Sequence, residues 1–424
     1  DGTAGIAITR NTNSSQPPVL SFGKQRSGSS GGNTIVQDDD QLGQVQFAGA
    51  DGTDVNTRAA SISAFVDGTP GTNDMPGRLV FATTADGANS PTDRLTIDST
   101  GKATFTVDAS INSINIGKGA NSVAGNTVLG ETALDAAVTG GNNTAIGKNA
   151  LTANTSGNEN TAVGMGTLNA NTTGPENTAF GSGALYANTT GANNVAIGRS
   201  ALSSCSTASN NTAVGKSALL SNTTGTQNVA VGASALDANT TASNNIAIGH
   251  NSMGATTTGS SNTAIGSQSL RTNTTGQQNT ACGEQALMSA TTASDNTAVG
   301  KAALEANTTA ANNTAVGSQS LKANTTGTKN VAVGALALDA NTTADKSTAV
   351  GYASLTSNTT GANNTAFGDE SLLTNTTGTG NVAVGDAALY FNQTADNNTA
   401  VGHECMAANT TGAENTAVGA NSLD

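Results

Sequence analysis

Apolar and polar positions recur along this chain with a fixed period of 17 residues, from residue 126 to residue 424. A representative unit is NTAVGKAALEANTTAAN, residues 296–312, and the unit occurs eighteen times, the last time in part. We number its positions as slots 1 to 17 from the leading asparagine. Slot 4 is Val or Ile in most copies and slot 9 is Leu in all but two, whereas slots 3 and 8 hold small residues. Slots 4 and 9 are therefore the predicted hydrophobic core.

A period of 17 residues is too short for a helical-pair repeat, an ankyrin unit or a propeller blade. It is typical of one coil of a β-solenoid. We predict a short strand over NTAVG, a turn over slots 5 to 7, a second short strand over slots 8 to 12 and a polar return loop. A helical turn over slots 8 to 12 is the alternative for that segment. The predicted fold is all-β, a parallel β-solenoid or β-roll of eighteen 17-residue coils.

Slot 5 is glycine in every copy. A glycine at one fixed phase indicates a turn with positive φ or a backbone approach too close for a Cβ atom. The predicted structural turn glycines include Gly130, Gly147, Gly164, Gly300, Gly317 and Gly419.

Alternation along a strand assigns slots 3 and 4 to opposite faces. We place the large residues inside the coil, with Val299, Leu304, Val316 and Leu321 as core residues. The small residues then face outward. Strands disfavour alanine and solvent would tolerate larger polar residues there, so an outward row of alanines indicates close packing against another chain. This hypothesis predicts a homotrimer, with an interchain small face that includes Ala298, Ala303 and Ala315.

The composition changes near residue 106. Five of the six prolines and five of the eight phenylalanines precede that point, among segments such as LGQVQFAG and RLVFATT that lie between Gly, Asp and Pro clusters. Such segments predict strands joined by turns. We therefore divide the chain into a small β-rich module (1–106), a transition segment (107–125) and the repeat shaft (126–424).

Two stretches carry a resemblance. VDGTPGTNDMPGRLVFATTADGANSPTDRLTIDSTG, residues 66–101, resembles a module of the tail fibres of tailed bacteriophages, especially marine and cyanobacterial phages. INIGKGANSVAGNTVLGETAL, residues 111–134, and the NTAVGxxALxANTTG copies after it are similar to fibre shafts of the same group. More loosely, the repeats resemble the β-roll heads of trimeric autotransporter adhesins. The first resemblance implies a trimeric tail fibre on a virion, whose partners are other tail proteins and a bacterial surface receptor, a polysaccharide being one candidate.

Charge narrows the partners further. The chain has a net charge of −13 with only 16 Lys and Arg residues, which argues against nucleic-acid binding. It has no apolar run long enough for a transmembrane helix and no signal-peptide pattern, so we expect no membrane insertion.

No residue pattern predicts catalysis, a metal or a cofactor. His250 and His403 both occupy slot 6, nine copies apart, and are interpreted as exposed turn residues. Cys282 replaces a core Val, Cys405 occupies the small slot 8, and Cys205 replaces the slot 12 asparagine, where we expect it to be exposed. Acids such as Asp237, Glu305 and Asp339 have no partner at a fixed distance, so no glycosidase pair is predicted.

The polar slots predict ladders. Asn at slots 1 and 12 and Thr at slots 13 and 14 would each bond to their copies in the next coil. Three hypotheses remain: a phage tail fibre, an extracellular adhesin at a cell surface, and a monomeric ice-binding solenoid that uses its Thr rows. Residues 66–101 favour the fibre. Outside the predicted core slot 4, the repeats have few aromatic side chains, Tyr186, Tyr352, Tyr390 and Phe391, which favours a spacer over a sugar-binding surface.

Overall fold

The computed structural model describes residues 17–28, 33–53 and 55–423. Residues 1–16 of the predicted module and residue 424 of the predicted shaft lie outside this range. The chain divides into two compact units between Ala109 and Ser110. We describe each unit separately.

The first unit is an antiparallel sheet with the strands in chain order. Its strands are β1 (Gln41–Gly49), β2 (Thr57–Val66), β3 (Gly77–Thr83), β4 (Thr92–Ile97) and β5 (Ala103–Phe105). The pairing aligns five apolar residues across the sheet, one from each strand: Val45, Ile62, Phe81, Leu95 and Phe105. Because side chains alternate between the two faces of a strand, this row belongs to a single apolar face of the sheet.

An ion cluster stabilises the start of this unit. Arg26 donates to both carboxylate oxygens of Asp40, at 2.7 and 2.9 Å, and the Lys24 ammonium lies 3.1 Å from the same carboxylate. The backbone N–H of Gln37 donates to it as well. These donors, the Arg26 guanidinium first, hold the pKa of Asp40 well below its usual range.

The boundary between the units falls within the predicted transition segment. This segment contains β6 (Ala109–Ile111), β7 (Ile114–Gly117) and a 3₁₀ turn (Ala120–Ser122). β7 pairs antiparallel with the first repeat strand, β8 (Thr127–Gly130). β7 thus covers the N-terminal edge of the repeats. An uncovered edge strand would be prone to pair with other chains.

The repeats form a parallel β-solenoid, as predicted, and each described coil contributes one short strand over slots 2 to 4. Residues pair with their own copies in the next coil, for example Thr297 with Thr314 and Val299 with Val316. The strands after β8 are β9 (Thr144–Ile146), β10 (Thr161–Val163), β11 (Thr178–Phe180), β12 (Val195–Ile197), β13 (Thr212–Val214), β14 (Val229–Val231), β15 (Ile246–Ile248), β16 (Thr263–Ile265), β17 (Thr280–Cys282), β18 (Thr297–Val299), β19 (Thr314–Val316), β20 (Val331–Val333), β21 (Thr348–Val350), β22 (Thr365–Phe367), β23 (Val382–Val384), β24 (Thr399–Val401) and β25 (Thr416–Val418).

The predicted second strand over slots 8 to 12 is wrong, and so is the helical alternative. This segment consists of turns, because slots 7 and 9 are left-handed in every coil, as at Ala302 (φ 54°) and Leu304 (φ 52°). A left-handed residue interrupts the alternation of a strand. The neighbouring slots 8 and 9 therefore both point into the coil, and both Ala303 and Leu304 are fully buried.

The prediction of which strand residues face inward was also wrong. Ala298, Ala303 and Ala315 are fully buried within their own coil and cannot form an interchain face. Val299 and Val316 are instead 37% and 36% exposed. Leu304 and Leu321 are fully buried, as predicted. The slot 9 leucine fills most of the narrow interior, so only methyl-sized groups from slots 3 and 8 pack beside it.

The predicted turn glycines of slot 5 have positive φ, with the exception of Gly130. The values are 123° at Gly147, 129° at Gly164, 134° at Gly300, 141° at Gly317 and 130° at Gly419. At Gly130 a Cβ atom would overlap the backbone of Gly147 in the next coil. Slot 5 therefore combines the two requirements that predict glycine, a left-handed backbone and a close approach.

Candidate interaction surface

Two ladders of buried asparagines hold successive coils together. In slot 1, the backbone N–H and Nδ2 of Asn160 donate to Oδ1 of Asn143 at 3.0 and 3.2 Å. In slot 12, Nδ2 of Asn171 donates to Oδ1 of Asn154 at 2.9 Å. Asn160 and Asn171 also both donate to the carbonyl of Gly174, at 3.0 Å each. One slot 15 carbonyl thus joins the two ladders within a coil, and the predicted asparagine ladders are confirmed.

The threonine ladder is confirmed at slot 13, in a different form, and is not found at slot 14. In slot 13, Oγ1 and the backbone N–H of Thr172 both donate to the carbonyl of Thr189, at 3.0 and 2.9 Å. The bond is therefore from side chain to backbone. Slot 14 threonines such as Thr309 are exposed in a turn. Because the slot 13 hydroxyl donates to the backbone of the next coil, slots 13 and 14 do not form the flat two-row threonine surface that the ice-binding hypothesis requires.

The slot 12 ladder is interrupted at Thr256. Without an asparagine there, Oδ1 of Asn239 in the preceding coil and Oγ1 of Thr256 itself are buried without a hydrogen-bond partner. We expect Thr256→Asn to raise the free energy of unfolding by about 2 kcal/mol, because each unsatisfied buried polar group costs about 1 to 3 kcal/mol. Thermal unfolding would measure this change. The converse change, Asn324→Thr, breaks an intact part of the ladder and should lower stability by a similar amount.

The side chains of slots 2 and 4 form a continuous surface along the solenoid, which we call the outward stripe. Slot 2 is Thr, Val or Ile in every coil, and slot 4 is Val, Ile, Leu, Phe or Cys, so the stripe contains no charged residue. Among its most exposed side chains are Phe180 at 43% and Phe367 at 57%. Our sequence interpretation missed this surface because it placed slot 4 in the core. The signal was the uniformly β-branched slot 2.

Charged residues lie beside the stripe, at slot 6, and two Lys–Glu pairs join adjacent coils there. Lys148 lies 3.0 Å from Glu131, and Lys301 lies 3.3 Å from Glu284. All four side chains are about half exposed, so each pair stabilises the fold little. Their effect is to neutralise opposite charges at these two places, whereas Arg199 and Lys216 put like charges in slot 6 of adjacent coils.

The antiparallel sheet of the first unit also has an exposed apolar face. Phe47 and Phe105 are more than half exposed, and Val45 is exposed on the same side. Soluble monomers seldom show contiguous apolar patches beyond a few hundred Å² without a binding role. Each of the two units therefore presents its own candidate interaction surface.

Neither histidine belongs to a cluster that resembles a metal site. His250 is exposed, and the exposed His403 lies 3.4 Å from Asp386 in the preceding coil. Across the described ranges, no three His, Cys, Asp or Glu side chains come together as a possible metal site. The partly buried carboxyl of Asp237 has a raised pKa, caused first by desolvation.

The cysteines occupy three different environments. Cys205 is fully buried, contrary to our expectation, and its thiol lies 3.6 Å from the Ala208 carbonyl as a weak donor in place of the asparagine amide. Cys405 is fully buried in slot 8. Cys282 lies half-buried on the outward stripe and is not a core residue, again because slot 4 faces outward.

We expect Cys205 to resist alkylation in the folded protein. Burial raises the pKa of its thiol to about 11, so almost no thiolate is present at pH 8. Iodoacetamide at pH 8 should leave Cys205 unmodified in native protein and modify it fully in guanidinium chloride, as peptide mass spectrometry can show. Rapid native modification would contradict the burial of slot 12.

None of the helices within the described residues is long and apolar enough to cross a membrane. No protein-family model matches the chain, and no curated protein matches its sequence.

Proposed function

We propose that this chain is a structural protein of a bacteriophage tail fibre, in which the repeats form a rigid homotrimeric shaft. The shaft would extend from the virion towards the bacterial surface and help the particle to attach. Its proposed partners are copies of itself, other tail proteins and a host receptor. The proposal includes no catalytic role.

The in-register ladder of the coils is the observation that carries this proposal. Every 17-residue unit adds one strand at a spacing of about 4.8 Å, so eighteen coils extend the repeat unit by roughly 85 Å. Buried asparagines and backbone hydrogen bonds link each coil to the next. Length is thus set by the number of repeats, which suits a spacer of defined reach.

Support for a phage origin comes from residues 66–101, which resemble a tail-fibre module. Support for self-association comes from the outward stripe and from the apolar face of the antiparallel sheet. The alanines of slots 3 and 8 cannot contribute to self-association, because they are buried within their own coil.

Immunogold electron microscopy tests the proposal. Antibodies raised against residues 126–423 would be applied to phage particles and to bacterial cells from a culture whose DNA contains the gene for this chain. Label on tail fibres is the expected result. Label on the cell envelope would overturn the proposal in favour of an adhesin, and label on neither would remove the virion assignment.

A further inference from the structure

The outward stripe is an unusually large uncharged surface for one that faces solvent. It is roughly 85 Å long and about 10 Å wide, which gives about 850 Å² per chain. Stable protein interfaces bury about 800 Å² on each partner. Slots 2 and 4 contain no charged residue in any coil, so this area is uncharged from end to end. The stripe therefore has the extent and the composition of a complete interface.

The spacing of the stripe restricts its partner. Its side chains repeat at every coil with the strand spacing of about 4.8 Å, and a partner that contacts each coil must repeat at the same interval. A second copy of this chain meets that condition by identity. Shape complementarity is then maintained over all coils at once.

Charge also favours a second copy through this face. Each chain has a net charge of −13, so two copies repel each other over most of their surfaces. The outward stripe is uncharged. Beside it, at slot 6, Lys301 pairs with Glu284 within the chain, whereas Arg199, Lys216 and Asp369 are exposed. Association through the stripe therefore buries no charged residue of the stripe itself.

We propose that copies of this chain associate in parallel and in register through the outward stripe, so that each coil meets the equivalent coil of the next copy. The number of chains, three, and their common direction rest on the proposed function, a homotrimeric shaft. A closed threefold arrangement requires all three chains to run in the same direction. The three stripes then face the common axis.

Phe367 offers a direct test of this arrangement. It is 57% exposed on the stripe, in the fourth coil from the end, whereas Phe180 occupies the fourth coil from the start. The substitution Phe367→p-benzoylphenylalanine keeps an aromatic ring at the site and allows photo-crosslinking. Covalent dimers would be isolated on a denaturing gel and the crosslinked peptides identified by mass spectrometry. Thr309→p-benzoylphenylalanine, in the exposed slot 14, is the matched control off the stripe.

We expect residue 367 to crosslink to residues 347–397 of a second copy, and residue 309 to give no covalent dimer. Crosslinks to the coils around Phe180 would overturn the parallel register, because an antiparallel pair brings the two ends together. Absence of covalent dimers from position 367 would overturn the interface. The same conclusion would follow if the protein were a monomer that adsorbs to ice. A parallel crosslink without virion labelling would retain the interface and reject only the phage function.

Discussion

Replacing Val299 and Val316 together by lysine should separate the associated copies while each coil stays folded. Both side chains lie on the outward stripe and are more than one third exposed, so lysine fits without disturbing the interior of the coil. In the assembled protein, the change places several like charges close to the axis without partners. Burying an unpaired charge costs several kcal/mol, so the affinity between copies should fall at least about 100-fold.

Sedimentation velocity over a concentration series would measure this loss, and circular dichroism would verify that the strands remain. The matched control is Thr309→Lys with Thr326→Lys, which adds the same charge to the same two coils at the exposed slot 14. We expect the control to assemble like the parent. Equal loss in both variants would point to general charge repulsion and against the stripe.

The second large effect concerns folding. Gly300→Ala should destabilise the solenoid by at least about 3 kcal/mol, because Gly300 has φ 134° and an added Cβ would lie 2.6 Å from the carbonyl carbon of Gly317. Either neighbouring coil would have to shift, so protection against hydrogen exchange should fall around coils 10 to 12. Thermal unfolding and exchange mass spectrometry would measure both effects.

Gly183→Ala is the matched control for this prediction. Gly183 occupies slot 7 with φ 69°, and its nearest neighbour to an added Cβ is Ser200 Oγ at 3.9 Å. An alanine already stands in slot 7 at Ala302, so we expect a cost of about 1 to 2 kcal/mol, below that of Gly300→Ala. If both variants lost the same stability, the backbone requirement of slot 5 would not be the cause.

Slot 15 shows that a close approach alone does not require glycine. A Cβ on Gly327 would also crowd the carbonyl of Ala344 in the next coil, yet six coils have alanine in slot 15. The φ of Gly327 is outside the left-handed range, unlike that of Gly300. This difference explains why slot 5 is glycine without exception and slot 15 is not.

The fold class could be predicted because the repeat encodes it directly. A period of 17 residues, a fixed glycine and two asparagine slots define a coil that stacks on its copies, as the pairing of Ala298 with Ala315 shows. The asparagine ladders followed from the same periodicity. These features depend on translation from coil to coil, which the sequence displays eighteen times.

The inside and outside of the coil could not be assigned by strand alternation. Alternation holds only while the backbone is extended, and each coil contains left-handed residues such as Ala302, Leu304 and Asn312. A left-handed leucine is unusual for a bulky residue, so no propensity predicts it. Once slots 7 and 9 turn, Leu304 and Ala303 share the interior with Ala298, and Val299 must face outward.

The candidate surface was missed for the same reason. Assigning slot 4 to the core removed half of the outward stripe and moved the proposed chain contact to Ala298 and Ala303. The expectation of self-association then depended on the wrong residues. The β-branched slot 2, which alternates with slot 3 on an ordinary strand, was the available evidence for the correct face.

The mass of the intact chain in solution tests the central claim most directly, since the outward stripe is proposed to be covered by copies of the same chain. Light scattering coupled to size exclusion would give that mass over a range of concentrations. We predict about three times the 41.3 kDa of one chain. A single chain mass at every concentration would contradict the claim and leave the stripe exposed to solvent.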